Sequence, residues 1–145
     1  MSERDIQVSI VNWLRLVLPR GSVVWAVKNE HAAKATTTAG RMRFFQKRKA
    51  EGVLAGIPDV HFVIPGPRFL MIETKTAVGV VSANQQIRHE ELRALGVAVG
   101  IAVDIDSARG FLLREGVALR ETAGQPTRVA KVRFAKRLVD DEMPF

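Results

Sequence analysis

The chain is 145 residues long, a normal length for one domain around a single apolar core, and its 47% hydrophobic and 26% charged residues suit a folded protein. It has no cysteine, which excludes a disulfide framework and a thiolate metal site. The formal net charge of +7 favours polyanionic partners. The first residues, "MSERDIQ", are charged and polar where the apolar part of a secretory leader would begin. No apolar run approaches the roughly 18 residues of a membrane span, so no membrane partner and a cytoplasmic location are expected.

Residues 3–18 carry Ile6, Ile10, Trp13 or Leu14, and Val17 at helical spacing, with Ser2 as a cap and Pro19-Arg20-Gly21 as a stop. The β-branched and aromatic "SVVWAV" (22–27) predicts a buried strand. The polar "KNEHAAKATTTAG" (28–40) reads as a mobile loop, and 41–51 as a short basic helix carrying Phe44 and Phe45 and stopped by Gly52. Two apolar runs, 59–65 and 68–75, flank Pro65-Gly66-Pro67 and predict a hairpin buried on both faces. Ser82-x-x-Gln85 is a capping box that opens a helix to Leu95, ended by Gly96. "VAVGIAV" (97–103) is a further buried strand, Asp106 to Leu113 a short helix, and 128–136 a weak strand signal. With no internal repeat and no domain boundary, this order describes one α/β domain around a central mixed sheet flanked by helices.

The hairpin sets charge at its strand ends: Asp59 before the first strand, Glu73 and Lys75 closing the second. A turn centred on Gly66-Pro67 pairs residues whose numbers sum to about 133. Asp59 then falls opposite Thr74, one step from Glu73. Strand alternation puts Glu73 and Lys75 on one face. Carboxylates gathered on a buried sheet repel one another and resist desolvation. Lys75 could compensate them in a purely structural ion cluster. Alternatively they hold a hard divalent cation, since Mg²⁺ takes one or two carboxylates together with substrate phosphate and water. Buried ion pairs return little stability for their desolvation, which favours the cation.

Positive charge lies in two blocks. Arg41, Arg43, Lys47, Arg48 and Lys49 occur without one acid between them, and Arg114, Arg120, Arg128, Lys131, Arg133, Lys136 and Arg137 face only Glu115 and Glu121. The end turns acidic with Asp140, Asp141 and Glu142. Each block alone is compatible with a solvated face; two around a carboxylate cluster suit phosphate neutralisation. Low aromatic content, 6% with no tyrosine, points to backbone and shape recognition rather than base stacking. His31, His61 and His89 are scattered, and His61 reads as a core histidine on the face of Asp59.

Pro58-Asp59 followed by Glu73-Thr74-Lys75 resembles the PD-(D/E)XK nuclease signature. Its surroundings, "GVLAGIPDV", "MIETK", "VSANQQ" and "LRALGVAV", resemble the VRR-NUC branch, the virus-type replication-repair nucleases, as do Glu3 and Gln7 in a Glu-x-x-x-Gln pattern. The resemblance spans roughly residues 3–113. It departs at Lys28-Asn29, where the family often has Pro-Asn. It implies a restriction-endonuclease-like core over 1–113, with a basic extension over 114–145 packed on the same domain.

The resemblance further implies a metal-dependent DNA endonuclease that takes Mg²⁺, with Mn²⁺ as a substitute and no small-molecule cofactor. Asp59, Glu73 and the Thr74 carbonyl would be ligands, and Lys75 would orient the attacking water. Glu3 is either a further ligand or an acid complementing its helix dipole. Gln85 is either catalytic or a capping side chain. Gln7, one turn from Glu3, and the cations of 41–49 are candidate DNA contacts. Small proteins of this type resemble phage or prophage enzymes that cut branched DNA, including four-way junctions, for which a homodimer with one site per subunit is expected. The competing expectations are a non-catalytic nucleic-acid-binding module and a nuclease directed at flaps, nicks or RNA.

Overall fold

A computed structural model describes residues 1–27, 37–121 and 124–137. Asn29, His31 and the acidic 140–142 fall outside them. The elements in chain order are α1 (Glu3–Val17), β1 (Val23–Ala26), α2 (Thr38–Ala50), β2 (Val60–Ile64), β3 (Arg68–Thr74), β4 (Val80–Val81), α3 (Ala83–Ala94), β5 (Ala98–Ala102), α4 (Ile105–Arg114) and β6 (Arg133–Phe134). A four-stranded sheet runs β1-β2-β3-β5, antiparallel except for the parallel β3–β5 pair. This is the expected α/β arrangement, a mixed sheet flanked by helices.

Alternation sorts the sheet into two faces. Val60, Phe62, Ile64, Leu70 and Ile72 join Ile6, Ile10, Leu14 and Val17 of α1 and Ala108, Phe111 and Leu112 of α4 in one apolar core. Gly100 permits the close approach of α4, because a Cβ there would lie 2.5 Å from the Phe111 ring. The opposite face carries His61, Met71, Glu73 and Val99, and α3 packs over its β3–β5 half, with the Arg93 guanidinium donating to the Val99 carbonyl.

The helix starts follow the sequence closely. Ser2 caps α1 in a reciprocal box with Asp5, Ser82 caps α3 with Gln85, and Asp104 caps α4 with Ser107. Three expectations need correction, and one element was not foreseen. The strand at 22–27 is not buried: β1 is the sheet edge, and Val23 and Trp25 are 58% and 39% exposed. The segment read as a loop to residue 40 becomes helical at Thr38, because the Thr37 hydroxyl accepts from the Gly40 amide and supplies a cap. The hairpin turn uses three residues rather than two, so Val60 pairs with Ile72 and Ile64 with Arg68, one step from the expected register. Asp59 therefore continues opposite Glu73. Finally, the short β4 had no sequence signal and pairs in parallel with β6.

The chain after α4 returns to the body of the protein. Arg120 donates from its backbone to the Val17 carbonyl and from its side chain to the Leu18 carbonyl, at 2.7 and 2.6 Å. Arg109, largely buried over the Trp13 ring, gathers Glu121, Asp106 and the Pro126 carbonyl. Arg128 pairs with Asp104, Arg137 with Glu90, and Arg133 with the Val78 carbonyl. These arginines of the basic tail thus have partners within the fold. Among the described residues no helix is long and apolar enough to cross a membrane.

Candidate active site

The carboxylates collect where the β2 entry, the β3 exit, the start of α1 and the start of α3 meet. A cleft of about 230 Å³ is lined there by Glu3, Arg4, Gln7, Val27, Asp59, Glu73, Lys75 and Gln85. Oxygens of Glu3, Asp59 and Glu73 all lie within 4.8 Å of one another. Residues from five separate segments, Val27 after β1 among them, converge on this cleft.

Each side chain is held by its element. Asp59 Oδ2 accepts from the Thr74 amide at 3.1 Å and from its hydroxyl at 2.8 Å, so Thr74 anchors the aspartate across the sheet. Gln85 performs two tasks in one conformation: its Oε1 accepts from the Ser82 amide and its Nε2 donates to Glu73 Oε1, both at 2.9 Å. Capping and site contact were alternatives in the sequence; here they coexist. Lys75 Nζ lies 3.6 Å from Glu73 Oε1 and 3.7 Å from Glu3 Oε1. Glu3 reaches the cleft, while Asp5 of the same first turn closes the helix cap.

Gly56 shows why the loop before Asp59 needs glycine. Its φ of +83° is a left-handed conformation, and a Cβ would come within 2.5 Å of the Asn84 carbonyl oxygen at the α3 start. The loop that delivers Pro58-Asp59 is thereby pressed against the helix that delivers Gln85.

The electrostatics are unbalanced. Glu73 is 1% exposed, and burial, then the charge of Asp59, push its carboxyl up to about 9 against the opposing pull of Lys75. Its Oε2 is buried without a hydrogen-bond partner among the described residues. An unsatisfied buried oxygen and an all-oxygen donor set of three converging carboxyl groups together fit a hard divalent cation, whose charge would offset the cost of ionising Glu73.

The sequence missed three neighbours. Arg4 and Val27 line the cleft, and His89, fully buried on α3, sets Nε2 3.8 Å from Glu73 Oε2. Burial, then Arg93 and Lys75, hold His89 down to about 4. Its spacing of four from Gln85 was the available signal. His61 is a core histidine as expected, with Nε2 2.9 Å from the Pro58 carbonyl and its ring edge-on to Trp25 and Phe69. Arg41, Arg43, Lys47, Arg48 and Lys49 do not line the cleft; they lie on α2, which has no buried residue, with Arg48 over the Phe44 ring.

No curated protein and no solved structure matches the chain. Residues 1–103, which carry Glu3, Asp59, Glu73, Lys75 and Gln85, match the family model described as the VRR-NUC domain. The chain belongs to the VRR-NUC family of nucleases.

Proposed function

We propose that this protein is a divalent-metal-dependent DNA endonuclease that hydrolyses phosphodiester bonds in branched DNA, four-way junctions among them. The observation that carries this reading is the convergence of Glu3, Asp59 and Glu73 oxygens within 4.8 Å beside Lys75. Asp59 and Glu73 would hold the ion, with Glu3 and the Thr74 carbonyl as further ligands. A bound Mg²⁺, or Mn²⁺ in its place, supplies Lewis acidity to a phosphate oxygen and lowers the pKa of water. Lys75 orients the attacking water and places positive charge where the phosphate accumulates negative charge. Gln85 holds Oε1 of Glu73 in place. Gln7 and the α2 cations contact the DNA backbone, giving affinity without base reading.

Residues 1–113 form the catalytic core in this reading, and 114–145 an extension of the same domain. Two-fold branched substrates suit a homodimer with one site per subunit. A cytoplasmic role in phage or prophage replication, recombination or repair follows from that substrate class.

The test is cleavage of labelled four-way junction, linear duplex, single-stranded DNA and RNA with Mg²⁺, Mn²⁺ or EDTA, using wild type and Lys75→Ala. Junction cutting that needs metal and is lost in Lys75→Ala, while binding persists, is the expected result. Binding without cutting in any metal overturns the catalytic reading and leaves a nucleic-acid-binding module. Faster cutting of RNA or linear DNA overturns the substrate assignment alone.

A further inference from the structure

We propose that His89 is a positioning residue that fixes the second carboxylate oxygen of Glu73 when a divalent cation lies against the first. This inference rests on the metal-dependent reading above and deepens it.

Gln85 and His89 lie one turn apart on the same face of α3 and address the two oxygens of one carboxylate. Gln85 Nε2 donates to Glu73 Oε1 at 2.9 Å, and Lys75 Nζ approaches that same oxygen at 3.6 Å. His89 Nε2 faces the other, Oε2, at 3.8 Å, which is longer than a hydrogen bond. Both atoms are buried and lack a hydrogen-bond partner among the described residues. Two unsatisfied polar atoms that face each other in a closed interior are costly where they stand, and a modest ring or carboxylate rotation would satisfy both.

The cation supplies the reason for that rotation. A liganding Glu73 is ionised, and its Oε2 then requires a donor. The Nε2–H tautomer of a neutral His89 provides one without adding a charge to the buried interior. With Oε1 held by Gln85 and Oε2 by His89, the carboxylate plane is fixed for as long as the ion is bound, and the bound state is stabilised. Outer hydrogen bonds of this kind to metal ligands typically govern affinity by about 10–100-fold. A purely structural histidine would not need its Nε2 aimed at a catalytic carboxylate, and leucine would fill the same space without bringing an unsatisfied nitrogen.

The experiment is calorimetric titration of the full metal-free chain with Mn²⁺, alongside thermal melts, for wild type, His89→Leu and His89→Gln. His89→Leu is expected to melt no lower than wild type, since it removes a buried unsatisfied nitrogen, yet to bind Mn²⁺ about 10–100-fold more weakly. His89→Gln, which retains an amide donor, is expected to recover most of the affinity. On junction DNA, the kcat loss of His89→Leu is expected to be restored by raised Mn²⁺ with KM for DNA unchanged. Equal Mn²⁺ affinity in His89→Leu and wild type overturns the proposal. So does a parallel fall of melting temperature and affinity in both variants, which would mark His89 as structural. Absence of Mn²⁺ binding by wild type is a separate result: it removes the metal-dependent reading itself, and this inference with it.

Discussion

Asp59 is anchored to Thr74 by two hydrogen bonds to one oxygen, from the amide at 3.1 Å and the hydroxyl at 2.8 Å. The amide bond is backbone and survives Thr74→Val; the hydroxyl bond does not. Thr74→Val keeps the shape of the fully buried side chain and removes only the hydroxyl donor. The expected result is a fall of about 1 kcal/mol in stability and about tenfold in Mn²⁺ affinity, since the aspartate loses half of its anchor. Denaturant melts and metal titration check it. An unchanged affinity would mean that the Thr74 amide alone suffices.

If Glu73 holds the proposed ion, it links metal binding to pH. Its folded pKa is raised from 4.5 to about 9 by burial, then by Asp59. The contribution of a group raised in this way is present below pH 4.5 and is lost as pH rises through about 9, because the buried carboxylate becomes charged. Metal-free protein should therefore lose stability toward pH 9, and a bound cation should restore it. Near neutral pH the ion must displace the proton, so about one proton is released per ion. Titrations in buffers of different ionisation enthalpy measure this directly, and heats independent of buffer would contradict it.

Much of the fold was legible because it rests on local chemistry. The helix caps at Ser2 and Ser82, the two-sided burial of the hairpin strands and the nearness of Asp59 to Glu73 all follow from short sequence patterns. The misreadings have a shared cause in neighbours that a single chain does not declare. Hydrophobicity marked 22–27 as a strand but could not tell an edge from a centre, so the exposure of Trp25 was hidden. The register slipped by one because Pro65-Gly66-Pro67 fits a turn of two residues as readily as three. His89 carries no motif of its own; its significance comes from Glu73, distant in sequence and brought beside it only when α3 packs on the sheet.

His89 should also shape the acid limb of stability. Burial, then Arg93 and Lys75, depress its folded pKa from 6.5 to about 4. The contribution of such a group is present above pH 6.5 and is lost as pH falls through about 4, because the interior must admit a cation. His89→Leu removes that dependence. The stability difference between wild type and His89→Leu is expected to widen in favour of the variant as pH drops from 6.5 to 4. Parallel pH profiles, measured by urea unfolding, would show that His89 does not titrate in a buried setting.

Gly56 is the pivot between the Asp59 loop and α3. Alanine there meets both a left-handed φ and the Asn84 carbonyl. Gly56→Ala should cost about 1–3 kcal/mol. It should also depress cleavage beyond what lost folding explains, since Asp59 and Gln85 are positioned by the same close approach. Cleavage per folded molecule, from active-fraction titration at low temperature, separates the two effects. Unaltered activity with unaltered melting would mean that the loop relaxes freely around the added methyl.

The basic helix α2 offers a test that leaves the catalytic cleft untouched. It contributes no buried residue, and the Lys47–Glu51 pair, at 4.0 Å with both side chains mostly exposed, adds little to stability. Replacing Arg43, Lys47 and Lys49 with alanine preserves helix propensity, so the melting temperature should stay within experimental error. If these cations neutralise phosphates, each releases counterions, and the slope of log affinity against log salt should flatten by about 0.9 for every phosphate left without its cation. The triple variant should then bind junction DNA more weakly at low salt, with a slope shallower by about 2–3. Its maximal cleavage rate at saturating DNA should match wild type, because no catalytic group has moved. An unchanged slope would assign phosphate binding to other cations. A lost maximal rate would mean that α2 shapes the cleft as well as the approach to it.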